Sequence, residues 1–386
     1  MQSSSMINPI TIGSRGSDLA LWQANHVQSQ LKELGIQSII KIIKTRGDKI
    51  QHLSFDKLEG KGFFTKEIED ALLNKEIDLA VHSHKDLETN PPEGLIIAAV
   101  SEREDPSELL LIRKESFDSS KFWGLKDNAV VGTSSSRRKS QILLFREDLQ
   151  IKDLRGNVPT RIQKLRNGNY DAILLAKAGV SRLNLDVSDL QVECLPKKWF
   201  IPAPAQGVLG LQIREGDYSM KKILNKINSS STQEAIKVER KILNLFNGGC
   251  LLPLGVYCEK DSNTTKIWVS ILKPNQNHPL RVYKENSSAE QVVQLLKSEI
   301  QGGEKVFISR DLNKGSLFEK NLINQNISVF GKSLINISEE GALFKSYIDG
   351  RNYLLTPEKS IELQRDIGAD LILVFDECTP FHVDKS

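Results

Sequence analysis

Cys250 is the first residue whose setting suggests chemistry. It stands in the run NGGCLLPLG, residues 247–255, between a predicted helix and a predicted strand. The adjacent Gly248 and Gly249 allow backbone conformations that other residues avoid, so this loop can project a thiol outward from the protein surface. A free cysteine is more often a small buried hydrophobic residue, and the run alone leaves that alternative open. We interpret Cys250 as an anchor for a ligand because basic groups elsewhere in the chain suit an anionic one.

A second candidate is the run HSHKD at the end of a short apolar stretch. His82 and His84, two positions apart, could chelate a metal, but no third ligand is evident nearby, so we predict no metal site. Lys85 and Asp86 are adjacent at a strand end and point in different directions. The lysine could then hold a carboxylate while the aspartate faces a protonated centre. Two solvated charges are the alternative.

Basic residues recur at or just after predicted strand ends. Arg15 follows the first strand, where a plain surface arginine remains possible, and Arg137 and Arg138 open a helix after the run VVGTSSS. Arginine in a first helical turn opposes the helix dipole, a cost that a nearby anion would offset. Together these positions predict a cleft for several carboxylates or phosphates, because guanidinium groups bind both bidentately. The full set is Arg15, Lys85, Arg137, Arg138, Arg155, Arg161 and Arg182.

Strands that alternate with helices must position these groups. The pattern predicts strands at 7–12, 38–44 and 79–81 and a helix at 63–73. It favours an α/β class with a mostly parallel sheet, whose ligands gather at the strand C-termini. Ser17 or Asp18 is the expected N-cap of the first helix. A polar linker is predicted at 228–232, followed by a helix at 233–246.

Composition narrows the possible functions. The 386 residues suffice for two or three domains. A net charge of +3, from 52 basic and 49 acidic residues, argues against a general nucleic-acid binder. Four cysteines without paired short spacing predict reduced thiols, and no apolar run reaches the roughly 20 residues of a membrane span. We therefore expect a cytoplasmic protein with neither a membrane nor a nucleic-acid partner. A P-loop motif is absent from the sequence.

Across residues 7–300 these motifs, in this order, resemble hydroxymethylbilane synthase, also called porphobilinogen deaminase. The matching runs are SRGSDLALWQA, TRGD, GKGFFTKEIEDALL, AVHSHKDL, EREDP, VGTSSSRR, LRGNVPTRIQKL, PAQG and GGCLLPLG. The resemblance implies two periplasmic-binding-protein-like (type II) α/β domains around a cleft and a small α+β third domain. The expected bounds are 7–104 with 202–227 for domain 1, 105–201 for domain 2, 232–302 for domain 3 and 303–386 for an atypical tail.

The resemblance also implies the chemistry. Cys250 would carry a dipyrromethane cofactor through a thioether. Four porphobilinogen molecules would be condensed head to tail onto it, each releasing ammonia, before hydrolysis frees the linear tetrapyrrole hydroxymethylbilane. This is a transferase reaction of porphyrin and haem biosynthesis, and a monomer is expected. Uroporphyrinogen-III synthase would act next in the pathway.

Residue roles follow from the same resemblance. Asp86 is the candidate catalytic group, for proton transfer and for stabilising developing positive charge. The residues expected to hold the cofactor are Cys250, Ser83, Lys85, Asp86, Thr133, Ser135, Arg137, Arg138 and Arg155. Those expected to receive the substrate ring are Arg15, Ser17, Arg161, Arg182 and Gln206. Lys61 lies in the matching loop over the cleft.

Four positions depart from the family pattern. Asp18 stands where proline is common, Pro159 where glycine is frequent and His84 where methionine is frequent. Gln212 replaces a glutamate often seen after the Gln-Gly turn. The changes at Asp18, Pro159 and His84 remove no charged group that the mechanism needs, whereas Gln212 leaves the details of its strand open.

The tail follows another pattern. Residues 305–337 resemble the opening of a uroporphyrinogen-III synthase, and 338–380 resemble an internal piece of tRNA-guanine transglycosylase. That family's nucleophilic aspartate and zinc ligands belong to segments this chain lacks, so Asp376 alone could not support base exchange. We interpret the tail as a truncated fusion or an assembly artefact without activity of its own.

Two alternatives come from other functional classes. A solute-binding protein would share the two-lobed architecture and the anion cleft, but it would normally carry an export signal and would need neither Cys250 nor a third domain. A tRNA-modifying enzyme is suggested by the tail, and its missing catalytic segments argue against it.

Overall fold

The computed structural model describes residues 9–45, 65–246, 252–261, 263–274, 276, 278–301, 334–338, 341–345 and 352–355. The chain divides into two compact units, Met1–Gln301 and Gly302–Ser386. No helix in these described ranges has the length and apolar character needed to cross a membrane.

The first sheet has the strand order β2-β1-β3-β10-β4. β1 pairs in parallel with β2 and β3, whereas β10 pairs antiparallel with β3 and β4. Its strands are β1 (Ile10–Ser14), β2 (Ser38–Ile42), β3 (Leu79–Ser83), β4 (Leu95–Val100) and β10 (Leu209–Arg214). The helices around it are α1 (Asp18–Glu33), α2 (Lys66–Leu73) and α6 (Tyr218–Leu224). Apolar side chains of α1 and α6, including Val27 and Leu224, pack on the sheet as one core.

The second sheet repeats this arrangement in the order β7-β6-β8-β5-β9. β6 is parallel to β7 and β8, and β5 is antiparallel to β8 and β9. Its strands are β5 (Glu108–Ile112), β6 (Val130–Gly132), β7 (Gln150–Lys152), β8 (Ala172–Ala176) and β9 (Gln191–Leu195). Its helices are α3 (Ser136–Phe145), α4 (Val158–Arg166) and α5 (Lys177–Arg182). Separate apolar cores fill the two faces of this sheet.

Two crossover segments, 101–107 and 196–208, join the sheets and pair with each other. The Ser101 amide donates to the Leu209 carbonyl at 3.1 Å, and the Glu104 amide donates to the Gly207 carbonyl at 3.0 Å. Gly207 has a φ of +87°, and a Cβ there would lie 2.3 Å from the Glu104 carbonyl oxygen. Only glycine allows so close a crossing, so the hinge between the sheets has a defined geometry.

A third, antiparallel sheet has the order β11-β12-β13 and is covered by two helices. These elements are α7 (Ser230–Leu245), β11 (Leu254–Lys260), β12 (Thr265–Ile271), β13 (Leu280–Asn286) and α8 (Ala289–Gln301). The second unit contains an antiparallel sheet formed by β14 (Leu334–Ser338), β15 (Gly341–Lys345) and β16 (Asn352–Leu355).

Glu239 of α7 fixes the third sheet to the hinge. Its side chain is fully buried and accepts from Arg103 Nη1 at 2.6 Å. It also accepts from the backbone amides of Ala205 at 2.7 Å and Cys258 at 2.8 Å. Arg103 Nε in turn donates to the Gln206 carbonyl at 3.0 Å. One carboxylate therefore joins α7, β11 and both crossover segments.

The predicted α/β fold class is confirmed by the two mixed sheets, and several predicted bounds shift. The first strand is Ile10–Ser14 rather than 7–12, and α2 begins at Lys66 rather than at residue 63. The prediction of a linker at 228–232 was wrong in part, because α7 begins at Ser230. Three consecutive serines were taken as a linker signal, but Ser229 is the N-cap, a position that favours serine. The domain bounds remain predictions.

We expect Glu239→Ala to lower the free energy of unfolding by about 3–5 kcal/mol, because it leaves Arg103 and two amides without their buried acceptor. Urea denaturation followed by circular dichroism measures this change. Glu234→Ala is the matched control, since the Glu234 carboxylate is exposed on the same helix and pairs only with Lys260 among the described residues. Equal midpoints for the two variants would contradict the assigned role of Glu239.

Candidate active site

The turn that carries Lys85 and Asp86 follows β3 directly. Residues His84–Asp86 form one turn of 3₁₀ helix, and the His84 amide donates to the Val208 carbonyl at 2.9 Å. Lys85 Nζ donates to Gln206 Oε1 at 3.3 Å, and Asp86 is exposed. The turn is thus attached to the second crossover segment, and it presents a cation and a carboxylate from adjacent positions.

A buried ion-pair cluster lies beside this turn. Glu108, the first residue of β5, is fully buried and accepts from Arg137 Nη2 at 2.5 Å and Arg138 Nη2 at 2.7 Å. Gln206 Nε2 donates to the same carboxylate at 3.0 Å. Burial would raise the pKa of Glu108, but Arg138, Arg137 and Lys85 outweigh it and hold that pKa well below its usual value. Glu108 therefore stays ionised.

The pKa of Lys85 is shifted by its burial and by the charges of this cluster. The pKa of Lys85 is lowered to about 8, mainly by burial and also by Arg138 and Arg137, whereas Asp86 and Glu108 oppose the shift. A carboxylate placed at Lys85 would favour the protonated form and raise the pKa again. The lysine is therefore prepared to bind an anion.

Arg161 extends the positive region from α4. Burial lowers its pKa to about 10, Arg138 and Arg155 add to that shift, and Asp86 opposes it. Arg161 Nε donates to the Gly156 carbonyl at 2.7 Å, which fixes its guanidinium. Asp86 belongs to the first sheet and Arg161 to the second, so the electrostatic effect of Asp86 on Arg161 acts between the two sheets.

The hydroxyl residues predicted at the site also have structural contacts. Ser17 and Ser135 are the N-caps of α1 and α3, accepting from the amides of Ala20 and Arg138. Thr133 Oγ1 accepts from the Ser135 amide at 3.2 Å, and Ser83 Oγ accepts from Gln23 at 2.8 Å. These contacts fix the starts of the helices and the end of β3, where the predicted ligand groups lie.

Arg182 contacts the hinge. Its Nη2 donates to the Gly207 carbonyl at 2.7 Å, and its guanidinium carbon lies 5.5 Å from the centre of the Trp22 ring. Burial lowers the pKa of Arg182. Arg15 is near enough to lower the pKa of His82. Arg182 therefore links the second sheet to α1 and to the hinge, as well as being a predicted substrate ligand.

Two predicted residues, Cys250 and Lys61, lie outside the described residues. The predictions for the thiol loop and the cleft loop therefore rest on the sequence.

The histidines have partners other than a metal. His82 Nε2 lies 3.0 Å from Gln212 Oε1, and His84 Nδ1 lies 3.5 Å from Arg240 Nη1. Burial is the main cause that lowers the pKa of His82 to about 4 and that of His84 to about 3, so both are neutral near pH 7. Among the residues that the structure describes, no group of three or more His, Cys, Asp or Glu side chains could hold a metal ion.

Sequence reasoning missed Glu108 and attributed the arginines at the start of α3 to ligand binding alone. The structure shows that one anion facing Arg137 and Arg138 belongs to the protein itself, since the Glu108 carboxylate pairs with both. A signal was available, because an acidic residue opens the otherwise apolar run ELLLI of β5. A charged group at the start of a buried strand requires a partner.

The matching family model and the similar proteins indicate the same family. Residues 10–222 match the family model "Porphobilinogen deaminase, dipyromethane cofactor binding domain". The porphobilinogen deaminase of Maridesulfovibrio salexigens is 44% identical over 280 residues, which is 71% of this chain and 88% of the relative. That of a Geobacillus species is 41% identical over 307 residues, 78% of this chain and 96% of the relative.

Two further similarities were found. Residues 310–386 match the model of the queuine tRNA-ribosyltransferase family, and this match begins upstream of the predicted residue 338. Among solved structures, the periplasmic VFT2 domain of Bordetella pertussis BvgS is 13% identical with a TM-score of 0.37, covering 60% of this chain and 92% of that one.

The family model for porphobilinogen deaminase spans more than half of the chain, and the relatives exceed 40% identity over most of their length. The chain therefore belongs to the porphobilinogen deaminase family.

Proposed function

We propose that this protein is a hydroxymethylbilane synthase, which condenses four porphobilinogen molecules onto a covalent dipyrromethane primer and then hydrolyses off the linear tetrapyrrole. Family membership supports the reaction. The observation that carries the proposal in the structure is the turn at Lys85 and Asp86, which lies beside a buried cluster of arginines.

The donor set fits a dipyrromethane with carboxylate side chains. Arg138 is 7% exposed, and its buried Nε has no hydrogen-bond partner among the residues that the structure describes, which leaves a donor for a ligand. Lys85 adds an ammonium group whose protonation an anion would favour. We infer that the cofactor would be held by Ser83, Lys85, Asp86, Thr133, Ser135, Arg137, Arg138 and Arg155, with Cys250 as its attachment point. When bound, the cofactor supplies the terminal pyrrole carbon that receives the first substrate ring.

The substrate explains the excess of cations. Each porphobilinogen carries an acetate and a propionate, so a growing chain accumulates negative charge that only opposite charges nearby could balance. Guanidinium groups suit these carboxylates because two parallel N–H groups bind both oxygens. We infer that the incoming ring would be received by Arg15, Ser17, Arg161, Arg182 and Gln206, with Lys61 in the loop over the cleft.

Asp86 is the proposed catalytic residue. The C–N bond of the aminomethyl group breaks, nitrogen leaves as ammonia with the bonding electrons, and positive charge develops on the pyrrole. A carboxylate beside the pyrrole nitrogen would stabilise this charge. We infer that the Asp86 carboxylate also assists removal of the proton that is displaced when the new C–C bond forms.

The remaining expectations complete the proposal. We propose a monomer in the cytoplasm, with uroporphyrinogen-III synthase acting on its product and with no nucleic acid or membrane as partner. Four cysteines without paired spacing support a reducing compartment. The resemblance of residues 305–337 to the opening of a uroporphyrinogen-III synthase remains a proposal based on the sequence.

Intact-mass spectrometry tests the proposed function. We expect the purified protein to carry the mass of two linked pyrrole units, and we expect Cys250→Ser to lack it, because the serine hydroxyl is a far weaker nucleophile than a thiolate. Cys194→Ser is the control, since that thiol is exposed at another site and its replacement should leave the adduct intact. A wild-type protein of unmodified mass that also fails to consume porphobilinogen would support a solute-binding protein instead.

Asp86→Asn tests the catalytic assignment. We expect the variant to keep the adduct and to lose turnover by about 100-fold or more, because the amide neither accepts a proton nor stabilises positive charge. Assay of porphobilinogen consumption, normalised to the adduct-bearing fraction, measures the loss. Glu93→Gln, an exposed carboxylate beyond the same turn, should retain wild-type turnover. Full activity of Asp86→Asn would refute the role.

The pKa of Lys85 gives a pH-dependent prediction. In Cys250→Ser protein we expect one ¹³C-labelled lysine to titrate near pH 8, below the ordinary 10.5, and we expect this signal to vanish in Lys85→Met. The unfolded chain keeps that proton up to about 10.5, so the stability contribution of Lys85 is lowest below pH 8 and rises between pH 8 and 10.5. Titration of every lysine signal near 10.5 would contradict this.

A further inference from the structure

Arg240 of α7 reaches from the third sheet to the turn that carries Asp86. Its Nη1 lies 3.5 Å from the His84 carbonyl and 3.4 Å from the Leu87 carbonyl, and its Nη2 donates to the Glu88 carbonyl. The same Nη1 lies 3.5 Å from His84 Nδ1. A single half-buried guanidinium thus contacts three backbone carbonyls around Asp86 and one imidazole.

These carbonyls need donors. The last carbonyls of a helical turn lack partners within the helix, and arginine side chains can supply donors to them. The 3₁₀ turn ends at Asp86, and the Leu87 amide closes it by donating to the His84 carbonyl at 3.3 Å. Arg240 therefore adds side-chain donors to the carbonyls on both sides of Asp86.

His84 is the second part of the contact. Its side chain is 3% exposed, and it packs within about 3.3 Å of where a Cβ of Gly210 would lie. Burial, with Arg240 as the next cause, holds the pKa of His84 near 3. A neutral imidazole has one ring nitrogen free to accept a hydrogen bond, so Nδ1 can face the guanidinium. Among the described residues, Arg240 and His82 are the charged or titratable side chains that shift the pKa of His84.

Helix α7 is itself fixed. Glu239, the neighbour of Arg240, is bound to Arg103 and to the Ala205 and Cys258 amides. The helix ends at Leu245, and Cys250 follows five residues later in the sequence. One helix therefore contacts the hinge through Glu239 and the Asp86 turn through Arg240, and it leads into the segment with the proposed attachment thiol.

We propose that Arg240, with His84 as its acceptor, is a positioning residue that fixes the turn presenting Asp86 relative to α7. The inference rests on the proposed function, since it assigns Arg240 an effect that operates through Asp86. Arg240 need not touch substrate or cofactor, because it acts on the backbone that carries the carboxylate. Small displacements of a catalytic group have large effects, and about 1 Å can cost roughly 100-fold in rate.

The experiment compares Arg240→Met with Lys241→Met. Both changes remove a cation from adjacent positions of α7 and keep an unbranched side chain, but Lys241 pairs only with Glu290 among the described residues and lies away from the turn. We expect Arg240→Met to lower kcat about tenfold to 100-fold with KM changed less than threefold and the adduct mass retained. Lys241→Met should match the wild-type protein.

Two further measurements separate positioning from general stability. We expect millimolar guanidinium chloride to restore part of the kcat of Arg240→Met, since a free guanidinium can occupy the same carbonyls, and to leave Lys241→Met unchanged. His84→Leu, which removes the imidazole acceptor at similar volume, should lower kcat severalfold. If Arg240→Met does not fold, Arg240→Lys and His84→Leu carry the test, and wild-type kcat in both overturns the inference.

The outcomes distinguish this inference from the proposed function. Inactive Asp86→Asn with an Arg240→Met variant equal to Lys241→Met would refute the role of Arg240 and leave the function standing. Fully active Asp86→Asn would remove the catalytic role through which Arg240 is inferred to act. A loss in Arg240→Met that equals its loss of adduct, with no rescue by guanidinium, would assign Arg240 to cofactor loading and overturn positioning.

Discussion

The site depends on a single buried carboxylate among cations. Glu108 accepts from Arg137 and Arg138, and through Gln206 it is connected to Lys85. Like charges repel strongly at low dielectric, so three cations could not share this space without an internal anion. One negative charge cannot neutralise three positive charges, however, and the remainder is available to a ligand. Glu108 thus stabilises the buried cluster of cations within the fold. It leaves the cluster with a net positive charge that can bind an anionic ligand.

The hinge brings the two halves of this cluster together. Asp86 and Lys85 extend from the first sheet, whereas Glu108 and the arginines belong to the second, and the paired crossover segments set the distance between them. Glu239 holds both segments with one carboxylate, and Arg182 adds a donor to the Gly207 carbonyl. Because each of these side chains contacts backbone groups of the hinge, the geometry of the site depends on contacts that lie outside the ligand itself.

The sequence pattern indicated the cations, whose role as ligands remains a prediction, and it missed their partners within the protein. Arg15, Lys85 and the arginines of α3 and α4 could be identified because each follows a strand, and this placement is local. The pairings of Glu108, Glu239 and Arg240 were missed because their partners lie 29, 136 and 156 residues away, so a local signal such as the acidic residue that opens ELLLI shows a charge but not its partner. The helix that begins at Ser230 was also misjudged, since serine signals both a linker and a helix cap. For Glu108, Glu239 and Arg240, contacts between residues distant in the sequence determine the structure.

One departure from the family pattern, Gln212, is also explained by contacts between residues distant in the sequence. Gln212 is fully buried between His82 and Glu69, taking part in one hydrogen bond at each end of its amide. An amide has a donor and an acceptor, so it can serve a neutral imidazole and a carboxylate at once. A glutamate there would face the Glu69 carboxylate, and one of the two would need a proton. In the strand behind Asp86, both ends of this buried amide therefore have a partner.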